Sequence, residues 1–229
     1  MEQKEICYIA YINLTPHPIS VLIEEKMHIK QLLPKQVKNY KKITSSYHDI
    51  TIINQQNAQK LCTKKVNLRP NTSYILVISQ TLKNELEYKC TLSEEKNIPL
   101  KNNCCAVRIG SFTKEAKTIN LCTKNEEPKL IKNPYLNLSN YLILDTKKKY
   151  YLEIFNSFNK KINCNLPKIK KFRIYSLFLM YDSSKKNYYF MPNIDRTSYK
   201  CNNLVKEIPT PKIHKKLIKE KKKSNKAKK

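Results

Sequence analysis

The sequence predicts an all-β protein: two tandem immunoglobulin-like antiparallel β-sandwich domains followed by a basic C-terminal tail. Three observations carry that prediction. Hydrophobic periodicity is two rather than 3.6, apolar runs recur at short intervals between clusters of Pro, Asn and Ser, and three segments repeat in the same order about 100 residues apart.

In the first half, "ICYIAYI" puts Cys7, Ile9 and Tyr11 on one face, and "ISVLI" does the same for Ile19, Val21 and Ile23. "HDITII" and "SYILVIS" are β-branched or aromatic, and "LEYKCTL" alternates Leu86, Tyr88, Cys90 and Leu92. About seven such runs per half are enough for two packed sheets, and neither half contains a long amphipathic pattern. The stretch "NLTPHPISVLI" reads as a corner. Pro16 and Pro18 fix φ and remove donors the ladder cannot use, and Asn13 and Thr15 supply turn chemistry.

The repeat is read from three pairs. "YIAYINLTP" (8–16) corresponds to "AVRIGSFTK" (106–114), "LPKQVKNY" (33–40) to "NPYLNLSNY" (133–141), and "VNLRPNTSYILVI" (66–78) to "CNLPKIKKFRIYS" (164–176). Ile9 and Tyr11 then match Val107 and Ile109, Ile19 and Val21 match Ile119 and Leu121, and Leu68 and Tyr74 match Leu166 and Phe172. The expected domains are 1–98 and 99–195, joined near the polar, Pro-containing "SEEKNIPLKNN" (93–103). Residues 196–229 form a Pro-containing linker and a Lys-rich disordered tail.

Net charge is the outlying number: 45 Lys and Arg against 18 Asp and Glu give +27 over 229 residues. A charge of this size attracts polyanions. Residues 206–229 carry eleven Lys and two Glu, and Lys215, Lys216, Lys219, Lys221, Lys222 and Lys223 are the expected polyanion contact. The start of the chain has Glu2 and Glu5 where a signal peptide needs basic residues, and no run reaches the ~18 apolar residues of a membrane span. Cytoplasmic synthesis without an export signal is expected, with the eight cysteines as reduced thiols.

With the repeats aligned, the pattern resembles a bacterial family, the domain of unknown function 4397. Asn13, Leu14, Thr15, Pro16 and Pro18 match its "N-L-S-P-D-A-P" piece, with His17 at the acidic position. Repeat two keeps the length, with Glu115 and Ala116 but lysines for prolines. Pro134, Tyr135, Leu138 and Tyr141 match "V-P-Y-G-x-V-x-x-Y", echoed by Pro34, Val37 and Tyr40. The chain departs from the family in glycine, keeping one, and Ser46 and Asn71 stand where Gly is expected, Asn being the better residue for a left-handed backbone. The resemblance implies an immunoglobulin-like sandwich without established enzymatic activity and, by analogy with relatives from spore formers, assembly into a spore or cell-envelope layer.

The chemistry-bearing residues are scattered. No C-x-x-C occurs, Cys7 and Cys105 fall at equivalent inward positions, and Cys62, Cys90, Cys122 and Cys164 lie in or beside apolar strands, so buried thiols are favoured over metal or redox chemistry. In an oxidising layer the thiols expected at the surface, Cys104 and Cys201, are the ones placed to cross-link. His48 on a strand reads as packing, and Asp49, Asp145, Asp182 and Asp195 show no paired-carboxylate spacing. Fifteen Tyr interleaved with Lys read either as core and sheet cover or as base- and sugar-stacking surfaces. The expectation is a non-enzymatic structural or adhesive protein without cofactor, whose partners are envelope proteins or anionic polymers. The alternatives are a basic nucleic-acid-associated protein and a carbohydrate- or small-ligand-binding module.

Overall fold

The computed structural model describes residues 5–81, 87–132, 135–156 and 160–200. The first repeat contains β1 (Ile6–Asn13), β2 (Ile19–Ile23), β3 (Lys26–Leu32), β4 (Val37–Thr44), β5 (Tyr47–Asn54), β6 (Lys60–Asn67), β7 (Ser73–Gln80) and β8 (Tyr88–Glu94). The second contains β9 (Cys104–Ser111), β10 (Ala116–Thr123), β11 (Lys129–Leu130), β12 (Leu142–Asp145), β13 (Tyr150–Asn156), β14 (Lys161–Asn165), β15 (Ile174–Asp182) and β16 (Asn187–Ile194), and a short helix α1 (Thr197–Lys200) follows.

Each repeat is a sandwich of two four-stranded sheets. The sheet orders β4-β1-β7-β8 and β3-β2-β5-β6 recur as β12-β9-β15-β16 and β11-β10-β13-β14. The ladders are antiparallel except where β1 meets β7 and β9 meets β15, which run parallel. The expected antiparallel sandwich is corrected there: the first strand of each repeat enters beside the seventh, at the centre of its sheet rather than at an edge.

Alternation places Cys7, Ile9, Tyr11, Tyr74, Leu76 and Ile78 in the first core, with Val21, Ile50 and Ile52 from the facing sheet. Cys105, Val107, Ile109, Tyr175, Leu177 and Leu179 do the same in the second, against Ile119, Leu121, Leu152 and Ile154. The opposite side chains of β1 and β7, Ala10, Ile12, Ile75 and Val77, are also buried, and pack with Phe112, Leu136 and Phe178 of the second repeat. The layers therefore run sheet, sheet, sheet, sheet, with the two central sheets facing each other. Strands buried on both faces carry runs of apolar residues rather than alternation, hence the unbroken "YILVI" of β7 and "LFL" of β15.

The ladders also fix the repeat register. Ile9 stands opposite Tyr74, and Val107 opposite Tyr175. Tyr74 accepts a hydrogen bond from the Arg69 amide (2.9 Å) and Tyr175 from the Lys170 amide (3.0 Å). Tyr74 thus corresponds to Tyr175, not to Phe172, because the loop before β15 is three residues longer. Phe172 corresponds instead to Asn71, and both are left-handed, with φ of 57° and 54°.

Ten described residues other than glycine hold positive φ, among them Lys35 and Leu136 in the turns before β4 and β12. Ser46 is not one of them: it belongs to a turn that carries the chain from one sheet to the other, so it needs no hairpin geometry. Gly110 serves another purpose. A Cβ there would sit 2.3 Å from the Asn137 carbonyl oxygen, so its hydrogen atom is what lets the loop before β12 lie against β9.

Candidate functional site

The β1–β2 corner is closed on itself. Asn13 is fully buried, and its Nδ2 donates to the carbonyls of His17 (2.8 Å) and Leu32 (3.0 Å). Its Oδ1 accepts from the amide (2.9 Å) and hydroxyl (2.8 Å) of Thr15. Pro16 is exposed and Pro18 half-buried, its carbonyl accepting from Gln55 N (3.0 Å). Every polar atom this turn brings inside is spent on holding the turn. In repeat two Ser111 stands in Asn13's place, and Thr113 bonds the Glu115 carboxylate.

Tyr40 and Tyr141 correspond, and the structure takes both from the turn motif to the seam between the repeats. Pro34 is half-buried in the turn ahead of Tyr40, Tyr135 is 42% exposed, and Pro134 lies outside the described residues, as do Leu86, Cys201 and the tail lysines Lys215, Lys216, Lys219, Lys221, Lys222 and Lys223. Each seam tyrosine donates to an acid that follows the last strand of its own repeat: Tyr40 to Glu95, and Tyr141 to Asp195. The two acids are themselves equivalent, since Glu95 N bonds Ser73 O and Asp195 N bonds Ile174 O.

Around them runs a hydrogen-bonded cluster that crosses from one repeat to the other. Tyr40 Oη accepts from Asn193 Nδ2 (3.3 Å) and Arg196 N (3.1 Å), and Glu95 accepts from Thr197 N (3.4 Å). Arg108 is buried, donating to Glu94 O (2.8 Å) and Ser176 Oγ (2.8 Å) and lying 3.5 Å from the Asp195 carboxylate. Its guanidinium covers the Tyr141 ring at 4.7 Å, and that of Arg196 covers the Tyr8 ring at 3.4 Å.

Two buried carboxylates share one buried guanidinium. Burial, followed by the neighbouring Asp195 charge, lifts the Glu95 carboxyl to about 8, and burial raises Asp195 as well, against the pull of Arg108. Tyr40 is pushed well above its usual range by burial and by both acids. At neutral pH the cluster therefore keeps a proton on the Glu95 side.

Sequence reasoning did not find this cluster. It placed Glu95 in a polar linker, whereas the residue is 4% exposed, and it began the disordered tail at residue 196. The ordered chain continues through α1, because Ser198 Oγ accepts from Ile174 N (2.7 Å) and donates to Ile174 O (3.0 Å), capping the seam end of β15. The available signal was the spacing of the acids, 95 and 195, which falls on the repeat period.

The concave surfaces are open and basic. A groove of about 540 Å³ between β3 and β4 is lined by Lys30, Lys38 and Lys41 together with Gln31, Gln36 and Gln55. Lys41 Nζ donates to His28 O (3.0 Å), which leaves Lys30 and Lys38 as its exposed cations. A second groove, of about 640 Å³, lies at one end of repeat two, with Lys148, Lys149, Lys168 and Tyr150 in its wall.

Most of the chemistry-bearing side chains are used structurally. Cys7, Cys90, Cys105, Cys122 and Cys164 are buried, and Cys104 is half-buried rather than exposed, lying on β9 with Phe172 N donating to its carbonyl. His48 is buried with Nε2 against Ser46 Oγ (2.9 Å) and Thr44 O (2.8 Å). Tyr11, Tyr74, Tyr175 and Tyr188 fill the cores, while Tyr47 is 78% exposed. Among the described residues no three of His, Cys, Asp and Glu gather as a metal site would require.

No protein-family model matches the chain, and no curated protein matches it. Among solved structures it is similar to a family 26 carbohydrate-binding module of Eubacterium rectale Amy13K, crystallised with maltoheptaose, at 10% identity and a TM-score of 0.26 over 81% of this chain and 97% of that one. It is similar also to the tip fimbrial protein Mfa3 of Porphyromonas gingivalis, at 9% identity and a TM-score of 0.28 over 83% of this chain and 99% of that one. Both likenesses are of β architecture, and at these values neither bears on function.

Proposed function

We propose that the protein is a non-enzymatic structural or adhesive module, two sandwiches fused into one body, that holds anionic polymers of a spore or cell-envelope layer on its basic surface. The observation that carries this reading is the β3–β4 groove, where Lys30 and Lys38 stand beside Gln31, Gln36 and Gln55. Cations flanked by amides suit a chain that offers repeated negative charge and hydroxyl or carbonyl groups between the charges. The acids of the seam support the same view, since Glu95 and Asp195 are buried and hydrogen-bonded to Tyr40 and Tyr141.

The test is retention on immobilised wall teichoic acid, a neutral glucan and duplex DNA, at rising salt, for the full chain, a chain ending at Lys206, and K30A/K38A. Retention on the anionic wall polymer that falls with salt and drops at least severalfold in K30A/K38A is expected. Salt-insensitive retention on the glucan would replace this reading with a carbohydrate-binding one. Retention on DNA that disappears only with the truncation would make the tail the functional element.

A further inference from the structure

We propose that Cys62 and Cys90 are a thiol pair that oxidises to a disulfide joining the two sheets of the first repeat. Cys62 lies on β6, the edge of the outer sheet, and Cys90 on β8, the edge of the sheet that faces the seam. Their sulfurs are 2.7 Å apart, inside van der Waals contact, and the residues are 28 positions apart in sequence. Nothing else covalent or ladder-bonded joins β6 to β8, since each belongs to a different sheet.

The two thiols are not equivalent, and the difference assigns their roles. Cys62 is half-buried, and Cys90 is buried. The hydrogen bond from Cys90 lowers the Cys62 thiol, with Lys64 adding to the effect against its burial, while the same contact and burial raise Cys90. Cys62 is thus the accessible nucleophile and Cys90 the resolving thiol.

With a low-molecular-weight disulfide RSSR as oxidant, the Cys62 thiolate attacks one sulfur, forming Cys62–S–S–R and expelling RS⁻. Cys90 then loses its proton and attacks Cys62 Sγ, forming the Cys62–Cys90 bond and expelling the second RS⁻. The two protons finish on two RSH, so the protein loses two hydrogens and RSSR gains them.

The second repeat is an internal control. Asn165 ends β14 as Asn67 ends β6, so Cys164 corresponds to Val66 and not to Cys62. Cys90 stands opposite Ile78, and the corresponding partner of Leu179 is Phe190. Repeat two therefore has neither cysteine of the pair at the matching place, and Cys164 Sγ bonds the Tyr188 carbonyl at 3.6 Å.

The experiment treats the full chain with glutathione disulfide, alkylates remaining thiols, and maps peptides without reduction, with melting curves before and after. The expected result is one Cys62–Cys90 linked pair, loss of two of the eight thiols, and a melting temperature raised by about 5–10 °C and restored by reductant. In C90S, Cys62 should stop at the glutathione adduct, with no rise in melting temperature. Recovery of Cys62 and Cys90 both alkylated, or linkage of either to another cysteine in preference, would overturn the pair. A linked pair without a change in melting temperature would overturn the claim that it joins the sheets.

Discussion

The two repeats agree in sheet order and core positions, and part company on the faces by which they meet. At the centre of the seam the first repeat presents Ala10 opposite Ile75, and the second presents Arg108 opposite Ser176 at the same ladder position. Each repeat carries its own tyrosine–carboxylate pair, Tyr40 with Glu95 and Tyr141 with Asp195, but only one supplies the cation between them. When like faces pack about a two-fold axis, a residue near that axis meets its own counterpart, and two buried guanidiniums there would repel. On the first-repeat side the same ladder position is held by two apolar residues, Ala10 and Ile75.

The sharpest way to break this asymmetry is Arg108→Ala. It leaves Asp195 buried without a cation and should cost about 3–5 kcal/mol in urea unfolding, whereas Ala10 offers no comparable loss. A cost below about 1 kcal/mol would mean that the acids do not rely on it.

The proton shared by the acids gives the next largest effect. Glu95 titrates near 4.5 when unfolded and about 8 when folded, so the folded state binds the extra proton between those values. Its contribution is complete below about pH 4.5 and is lost as pH rises through about 8, a change of a few kcal/mol. Unfolding midpoints of the parent chain should therefore fall between pH 5 and about 8 relative to those of Glu95→Gln, which stays neutral. Parallel pH profiles would place the titration elsewhere.

Gly110 and Ile12 occupy the same place in the two repeats, and Gly110→Ala sharpens that difference. The added methyl would meet Asn137 O at 2.3 Å and Phe112 Cε2 at 2.9 Å, which should cost about 1–3 kcal/mol by the same measurement. The smallest effect expected is a gain. Glu24 and Glu25 turn the β2–β3 hairpin with φ of 47° and 63°, and Glu25→Gly should stabilise by about 0.5–1 kcal/mol, read as a rise of a few degrees in melting temperature.

These residues also mark how far the sequence could be read. The strands were legible because each sandwich interior imposes alternation, and the duplication was legible because core positions such as Ile9 and Val107 recur in order. The pairing of Tyr74 with Phe172 failed because an apolar aromatic was matched to a tyrosine, while Phe172 occupies a left-handed turn position that side-chain type does not reveal. The seam was hidden for a related reason. A strand such as β7, apolar from Tyr74 to Ile78, says that both faces are covered without saying by what. Cys62 and Cys90 belong to different sheets, and no pattern local to either strand points to the other.

Joining the two halves in one polypeptide has a consequence for how such a seam can change. In an assembly of identical subunits every substitution at the contact arrives twice, so an arginine at the centre would have to face itself. Here position 108 is free to be Arg while position 10 remains Ala, and Cys90 is retained where its counterpart is Phe190. The covalent link turns a face that would have to suit its own copy into a lock and key that can be altered one side at a time.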